Sequence, residues 1–191
     1  MRVGVLALQG DVAEHLSMTG AAGAEAVEVR YSSQIDGLDG LIIPGGESTT
    51  VGKLMERFGF LDEIRKHAAR GLGVFGTCTG LILLAREVEN SGQVRLGLMD
   101  FEVKRNAFGR QVDSFEADIE IPAIGGPPMR AVFIRAPYIL SVGPGVEVLA
   151  RFEDKIVLAR QGRHLACAFH PEVTSDTRLH RYFLDTLAGR A

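Results

Sequence analysis

Apolar and polar positions along the chain form short runs that change period at glycine. Residues 2–8 are an apolar run closed by Gln9 and Gly10, the pattern of a buried strand. Asp11 is placed to cap a helix whose face carries Val12, His15, Leu16 and Thr19, and which ends at residues 20–23. Residues 26–30 and 40–43 read as further strands, the second stopping abruptly at Pro44-Gly45-Gly46. Ser48 and Thr49 then offer caps for a helix with Val51, Leu54, Met55 and Phe58 at helical spacing. Gly59 interrupts it, and Leu61, Ile64 and Ala68 continue a second helical piece to residue 70. Residues 72–75 read as a strand and residues 81–86 as a helix.

The second half changes character. Residues 101–104, 117–121, 130–135, 146–152, 155–160 and 165–169 all carry strand patterns, with Glu153-Asp154 as a hairpin turn. Ser175 or Asp176 caps a last helix with Leu179, Tyr182, Phe183 and Leu187 on one stripe. Strand–helix alternation followed by strands predicts one α/β domain over residues 1–191. Its mostly parallel sheet is covered on both faces and extended by antiparallel strands.

Composition changes this picture little. The chain has 191 residues, 46% hydrophobic and 24% charged, with a formal net charge of −3. That balance leaves no broad basic face for nucleic acid or an anionic membrane. No apolar run is long enough to span a bilayer. The apolar start is no signal peptide either, since it lacks an Ala-x-Ala site and runs into Asp11 and Glu14. Two cysteines make no disulfide framework, which points to a reducing, cytoplasmic compartment. The 23 glycines exceed the usual ~7% and sit at turns, so the question is which turns do chemistry.

Gly76-Thr77-Cys78-Thr79-Gly80, between a strand and a helix, has the G-x-nucleophile-x-G form of a nucleophile elbow. The glycines allow close backbone approach, and the helix start favours a thiolate. The plain alternative is a small buried cysteine at an ordinary turn. A cysteine nucleophile needs a base held by a third group. Of five histidines, His15 and His67 lie on helix faces, and His164 and His180 sit among charged neighbours and read as solvated. His170 differs, since it ends a strand and opens His170-Pro171-Glu172. Strand alternation there puts His170 and Glu172 on one side.

Cys167 and His170 have zinc-like C-x-x-H spacing, but three residues apart on a strand they face opposite ways, so no metal is expected and Cys167 reads as core. Paired glycines in Pro44-Gly45-Gly46-Glu47-Ser48-Thr49-Thr50 can expose N–H groups to an anion or oxyanion, although a tight turn is the commoner use. Arg105 and Arg135 end strands and can fork onto a carboxylate, against the simpler reading as surface charges.

The elbow within Gly73-Val74-Phe75-Gly76-Thr77-Cys78-Thr79-Gly80, followed by His170-Pro171-Glu172, resembles the triad-type (class I) glutamine amidotransferases. Four further segments are similar to the glutaminase subunits of pyridoxal 5′-phosphate synthase. They are Leu8-Gln9-Gly10, Leu41-Ile42-Ile43-Pro44-Gly45-Gly46-Glu47-Ser48-Thr49-Thr50, Arg105-Asn106-Ala107-Phe108-Gly109-Arg110-Gln111-Val112-Asp113-Ser114-Phe115 and Val132-Phe133-Ile134-Arg135-Ala136-Pro137. The long central motif is highly specific, whereas the elbow and His170-Pro171-Glu172 are shared with many amidotransferases.

The resemblance implies a three-layer, flavodoxin-like glutaminase domain with no cofactor. It implies Cys78 as nucleophile on the amide of L-glutamine, His170 as base and acid, and Glu172 orienting His170. The N–H groups of Gly46 and Thr79 would form the oxyanion hole. Gly46, Glu47, Ser48, Arg105, Ile134 and Arg135 would hold the substrate. Ammonia would pass to a separate barrel-shaped synthase subunit in a hetero-oligomer, with Gln9 and the first helix at the contact. Thr79 departs from the family's usual alanine but keeps its N–H. Two other readings stay open: the same chemistry serving another acceptor, such as imidazole glycerol phosphate synthase, and a flavodoxin-like scaffold with a redox-sensing Cys78.

Overall fold

The computed structural model describes residues 1–105 and 114–191. Residues 106–113, most of the central motif that carries the family resemblance, lie outside the described residues. In chain order the strands and helices are β1 (Arg2–Leu6), α1 (Val12–Ala22), β2 (Glu25–Val29), β3 (Gly40–Ile43), α2 (Ser48–Arg57), α3 (Phe60–Ala68), β4 (Gly73–Thr77) and α4 (Thr79–Leu84). There follow β5 (Ala85–Val88), β6 (Met99–Lys104), β7 (Ser114–Ile119), β8 (Met129–Ile134), β9 (Tyr138–Val142), β10 (Glu147–Phe152), β11 (Lys155–Gln161), β12 (His164–Cys167) and α5 (Arg178–Leu187).

The main sheet runs β2-β1-β3-β4-β12-β11-β9-β6-β5, with β10 pairing β11. Pairings from β2 through β12 are parallel. β11 then lies antiparallel to β12, β10 and β9, and β9 antiparallel to β6. This is the expected parallel sheet with a late antiparallel extension. β7 and β8 form a separate antiparallel pair.

The two central parallel strands are buried along their whole length, as strands covered on both faces must be: all four residues of β3 and all five of β4 are buried, whereas the edge strand β2 buries only Val29. On one face α5 lays its apolar stripe across β3 and β4, with Phe183 5.5 Å from Phe75 between ring centroids. A Cβ at Gly40 would run into Leu187 and crowd Phe183, so the sheet there is cut back to let the helix in. α1 packs beside α5 on that face, while α2 packs against both α3 and α4. No helix among the described residues is long and apolar enough to cross a membrane.

Several expectations need correction. The helix read over residues 81–86 ends at Leu84, and 85–88 form β5, paired parallel to β6. Arg86 and Glu87 are good helix formers, but strand pairing with buried Ala85 and Val88 overrides that preference. β9 follows Pro137 and carries no expectation from the sequence pattern. Asp11 sits at the start of α1 without a side-chain capping bond. The cap of α2 is Glu47 rather than Ser48 or Thr49: its carboxylate accepts from the N–H groups of Thr49 and Thr50 at 3.0 and 2.7 Å. At α5, Asp176 Oδ1 does accept from the Arg178 N–H, at 3.0 Å, although it lies one residue before the cap position.

In the sheet, β1, β3, β4 and β12 are neighbours and run in the same direction, so their C-terminal ends open onto one edge. Gln9, the loop from Pro44, Cys78 and His170 each follow one of these ends. Such an edge is where open α/β sheets gather their chemistry.

Candidate active site

Cys78 joins β4 to α4 with φ 49° and ψ −99°, a conformation that side chains other than glycine rarely adopt. The turn is over-determined by its surroundings. A Cβ at Gly76 would collide with the backbone of Gly80, and one at Gly80 with the carbonyl oxygen of Ile43. The Cys78 N–H is also fixed, donating to the Cys167 carbonyl at 2.8 Å. This is the elbow that the glycine spacing predicts. Its side chain is 8% exposed, at the floor of a cavity, with Sγ 3.9 Å from the Ile134 carbonyl oxygen.

His170 follows β12 and donates from Nδ1 to Glu172 Oε1 at 2.7 Å. The pair forms as expected but by different means. Pro171–Val173 is a single 3-10 turn, so tight winding rather than strand alternation brings the two side chains together. Both are buried. Burial opposes a charged imidazole, but hydrogen bonds and charge from Cys78 and Glu172 outweigh it and push His170 up to about 10. Burial likewise raises the Glu172 carboxyl, and His170 pulls it back. Asp11, free of capping duty, places Oδ2 3.5 Å from His170 Nδ1. Asp11, His170 and Glu172 thus bring three possible ligand atoms within 4.8 Å of one another, with His170 Nδ1 already engaged by Glu172. Cys167 is fully buried, donates to the Phe169 carbonyl at 3.2 Å, and has its thiol raised far above normal by burial.

Eight of the expected site residues line one cavity: Gly46, Glu47, Ser48, Cys78, Thr79, Arg105, Ile134 and Arg135, joined by Ile82 and Pro137. His170 and Glu172 stand outside this lining, behind Cys78. Gln9 lies at the rim, where its Oε1 accepts from the Glu47 N–H at 2.9 Å. The same Gly46–Glu47 peptide is held at its other end, because Thr79 Oγ1 donates to the Gly46 carbonyl oxygen at 2.5 Å. Arg105 points inward with Nη1 2.8 Å from Gln93 Oε1 and Nη2 3.8 Å from Glu47. Ser48 Oγ donates to the same Gln93 oxygen at 3.3 Å. Arg135 is another strained non-glycine residue, with φ 43°. The Glu47 carboxyl is lowered to about 2, chiefly by the Thr50 hydroxyl and then, against burial that raises it, by the Thr49 and Thr50 N–H groups.

Three participants escaped the sequence pattern. Gln93 anchors Arg105 and Ser48 from a stretch without periodicity. His180, read as solvated, is 1% exposed and meets His15 inside the protein. Charged neighbours in sequence mislead there because helix periodicity turns His180 onto the same inward face as Leu179 and Phe183. His164, also read as solvated, is half-buried and accepts the Val74 N–H at 3.2 Å.

A strained cysteine, an imidazole bonded to a buried carboxylate, and a cavity edged by backbone and guanidinium donors can together perform acyl transfer through a thioester. A family model described as the SNO glutamine amidotransferase family matches residues 5–188. The pyridoxal 5′-phosphate synthase subunit PdxT of Pelotomaculum thermopropionicum is 63% identical over 185 residues, covering 97% of this chain and 94% of that protein. The subunit of the same name from Desulforudis audaxviator is 60% identical, covering 97% and 98%. A crystal structure of a glutamine amidotransferase superposes with a TM-score of 0.92 at 53% identity, covering 97% of this chain and 98% of that one. PurLQS from Thermotoga maritima shares the fold, with a TM-score of 0.72 at 17% identity.

Proposed function

The chain belongs to the SNO glutamine amidotransferase family, and from that premise we propose that it is the glutaminase subunit of a pyridoxal 5′-phosphate synthase. It hydrolyses L-glutamine to L-glutamate and hands the ammonia to a barrel-shaped synthase subunit. The observation that carries this reading is the 2.7 Å bond from His170 Nδ1 to buried Glu172, set behind a cysteine on a strained elbow.

Cys78 Sγ attacks the side-chain amide carbon of glutamine, and His170 takes the thiol proton. The tetrahedral oxyanion is met by the N–H groups of Gly46 and Thr79. His170 returns its proton to the departing nitrogen, ammonia leaves, and a glutamyl thioester remains on Cys78. Water then attacks the thioester with His170 as base, releasing glutamate and the thiol. Glu172 keeps the Nδ1–H tautomer of His170, leaving Nε2 for the sulfur, and stabilises the imidazolium. Gly46, Glu47, Ser48, Ile134 and the guanidinium groups of Arg105 and Arg135 bind the amino-acid end. Gln9 and α1 form the contact with the synthase subunit, in a cytoplasmic hetero-oligomer.

Glutamine labelled with 15N in the amide tests this reading. With the cognate synthase subunit present, glutamate release should rise and the label should enter the product undiluted by unlabelled ammonium. Release that ignores the synthase, or a label fully diluted by external ammonium, would contradict it.

A further inference from the structure

The line from Cys78 through His170 to Glu172 does not stop at the carboxylate. His15 on α1 is fully buried, with Nε2 3.4 Å from Glu172 Oε2 and 3.1 Å from Thr77 Oγ1. Its Nδ1 is 3.1 Å from Nε2 of His180, itself 1% exposed on α5. Glu172 Oε2 makes no regular hydrogen bond among the described residues, so His15 is the polar group that faces it.

Protons on this pair of histidines can be assigned by elimination. Burial, with His180 and His170 beside it, lowers His15 far below its ordinary value, and burial lowers His180 to about 4. Each ring is therefore neutral near pH 7 and carries one N–H. An ionised Glu172 only accepts, so the nitrogen facing Oε2 must carry the proton: His15 is the Nε2–H tautomer. Its Nδ1 is then an acceptor, and the donor it needs is His180 Nε2–H. That leaves His180 Nδ1 as a bare lone pair, and Nδ1 is the atom of His180 that lacks a partner among the described residues. In the opposite assignment Nε2 of His15 would accept from the Thr77 hydroxyl, but the same lone pair would face the carboxylate oxygen at 3.4 Å, and His180 Nδ1–H would be a buried donor with no partner among the described residues.

We propose that His15 is a positioning residue for the glutaminase, its Nε2–H holding the rear oxygen of Glu172 while His180 Nε2–H locks His15 in that tautomer. This rests on the function proposed above. His15 lines no part of the substrate cavity. Its effect runs through Glu172: with the rear oxygen held, the carboxylate stays ionised and aligned, and so keeps its grip on the His170 proton. The other groups facing this pair are Cys78, bonded to His170, Asp11 at 3.5 Å from its Nδ1, and buried Cys167 near Glu172.

The test compares wild type, His15→Leu and His15→Gln, each assembled with the synthase subunit, for kcat and KM across pH. His15→Leu should lower kcat roughly tenfold or more with KM within about twofold. Its alkaline limb, set in the wild type by His170, should move down by roughly one pH unit as Glu172 loses its hold. The amide N–H of His15→Gln should restore most of that limb. Variants whose kcat falls with no movement of the limb, or a glutamine variant no better than leucine, would overturn the proposal. Should the leucine variant fail to fold, imidazole 15N shifts of the wild-type chain decide: neutral Nε2–H tautomers at both His15 and His180 are expected, and Nδ1–H at His15 would refute it. A wild-type complex that releases no glutamate would instead defeat the underlying function, leaving the tautomer measurement to judge His15 by itself.

Discussion

Thr79 Oγ1 donates to the carbonyl oxygen of Gly46 at 2.5 Å, so the residue after Cys78 is tied to the loop after β3. Gln9 holds the N–H of that same peptide, at Glu47, from the opposite side. The alanine that the family resemblance leads one to expect at position 79 could not make the first of these bonds.

Thr79→Ala should therefore loosen the Gly46–Glu47 peptide. A typical hydrogen bond contributes about 1 kcal/mol. Hydrogen exchange at the Glu47 amide should accelerate about fivefold, the factor that energy implies, while exchange in β1 and β3 stays unchanged. An unchanged Glu47 rate would mean the hydroxyl does not restrain the loop.

Gly45 is adjacent to the reacting groups for a steric reason. A Cβ there would strike Cε1 of the His170 ring, which is buried and cannot swing aside. Gly45→Ala should lower glutamate release by about 100-fold through displacement of the imidazole. Overpacking should also cost about 1–3 kcal/mol in denaturant unfolding. Activity within a few fold of wild type would show that the ring or the loop yields freely.

Glu47 links stability to pH. Its carboxyl lies at about 2 when folded, below its ordinary value of 4.5. Its stabilising effect is then fully present above ~4.5 and fades as pH falls towards 2. The side chain is half exposed, so the gain is that of a helix cap, about 0.5–1 kcal/mol after solvent screening. Urea unfolding of Glu47→Gln should show that loss at pH 7 and a smaller difference from wild type at about pH 3. A difference that stays constant with pH would contradict the capping role.

Sequence patterning revealed the elbow because its constraint is local: Gly76 and Gly80 are required by backbone contacts within one strand–helix turn. The parallel block and its common edge followed from strand–helix alternation, and that edge is what brings Gln9, Gly46, Cys78 and His170 together. Pairing of His170 with Glu172 was legible, although the backbone that achieves it is a 3-10 turn at Pro171. What stayed hidden depends on tertiary placement. Periodicity puts His15 and His180 on helix faces but says nothing of what each face meets, and here they meet each other and Glu172. Gln93 has the same character, since its role comes from Arg105 and Ser48 arriving beside it. Glu47 displaced Ser48 and Thr49 as the cap of α2 because the helix starts at Ser48, one residue earlier than a Ser48 cap would require.

The most direct test of the account is glutamate release from glutamine by the chain assembled with its synthase subunit, measured for wild type and Cys78→Ala. The wild-type complex should turn over, accumulating a glutamyl adduct on Cys78 that mass spectrometry detects when the reaction is quenched in acid. Cys78→Ala should lose at least about 1000-fold in rate and carry no adduct, as expected when the attacking atom itself is removed. Release by Cys78→Ala at the wild-type rate would contradict the assignment of Cys78 as the nucleophile.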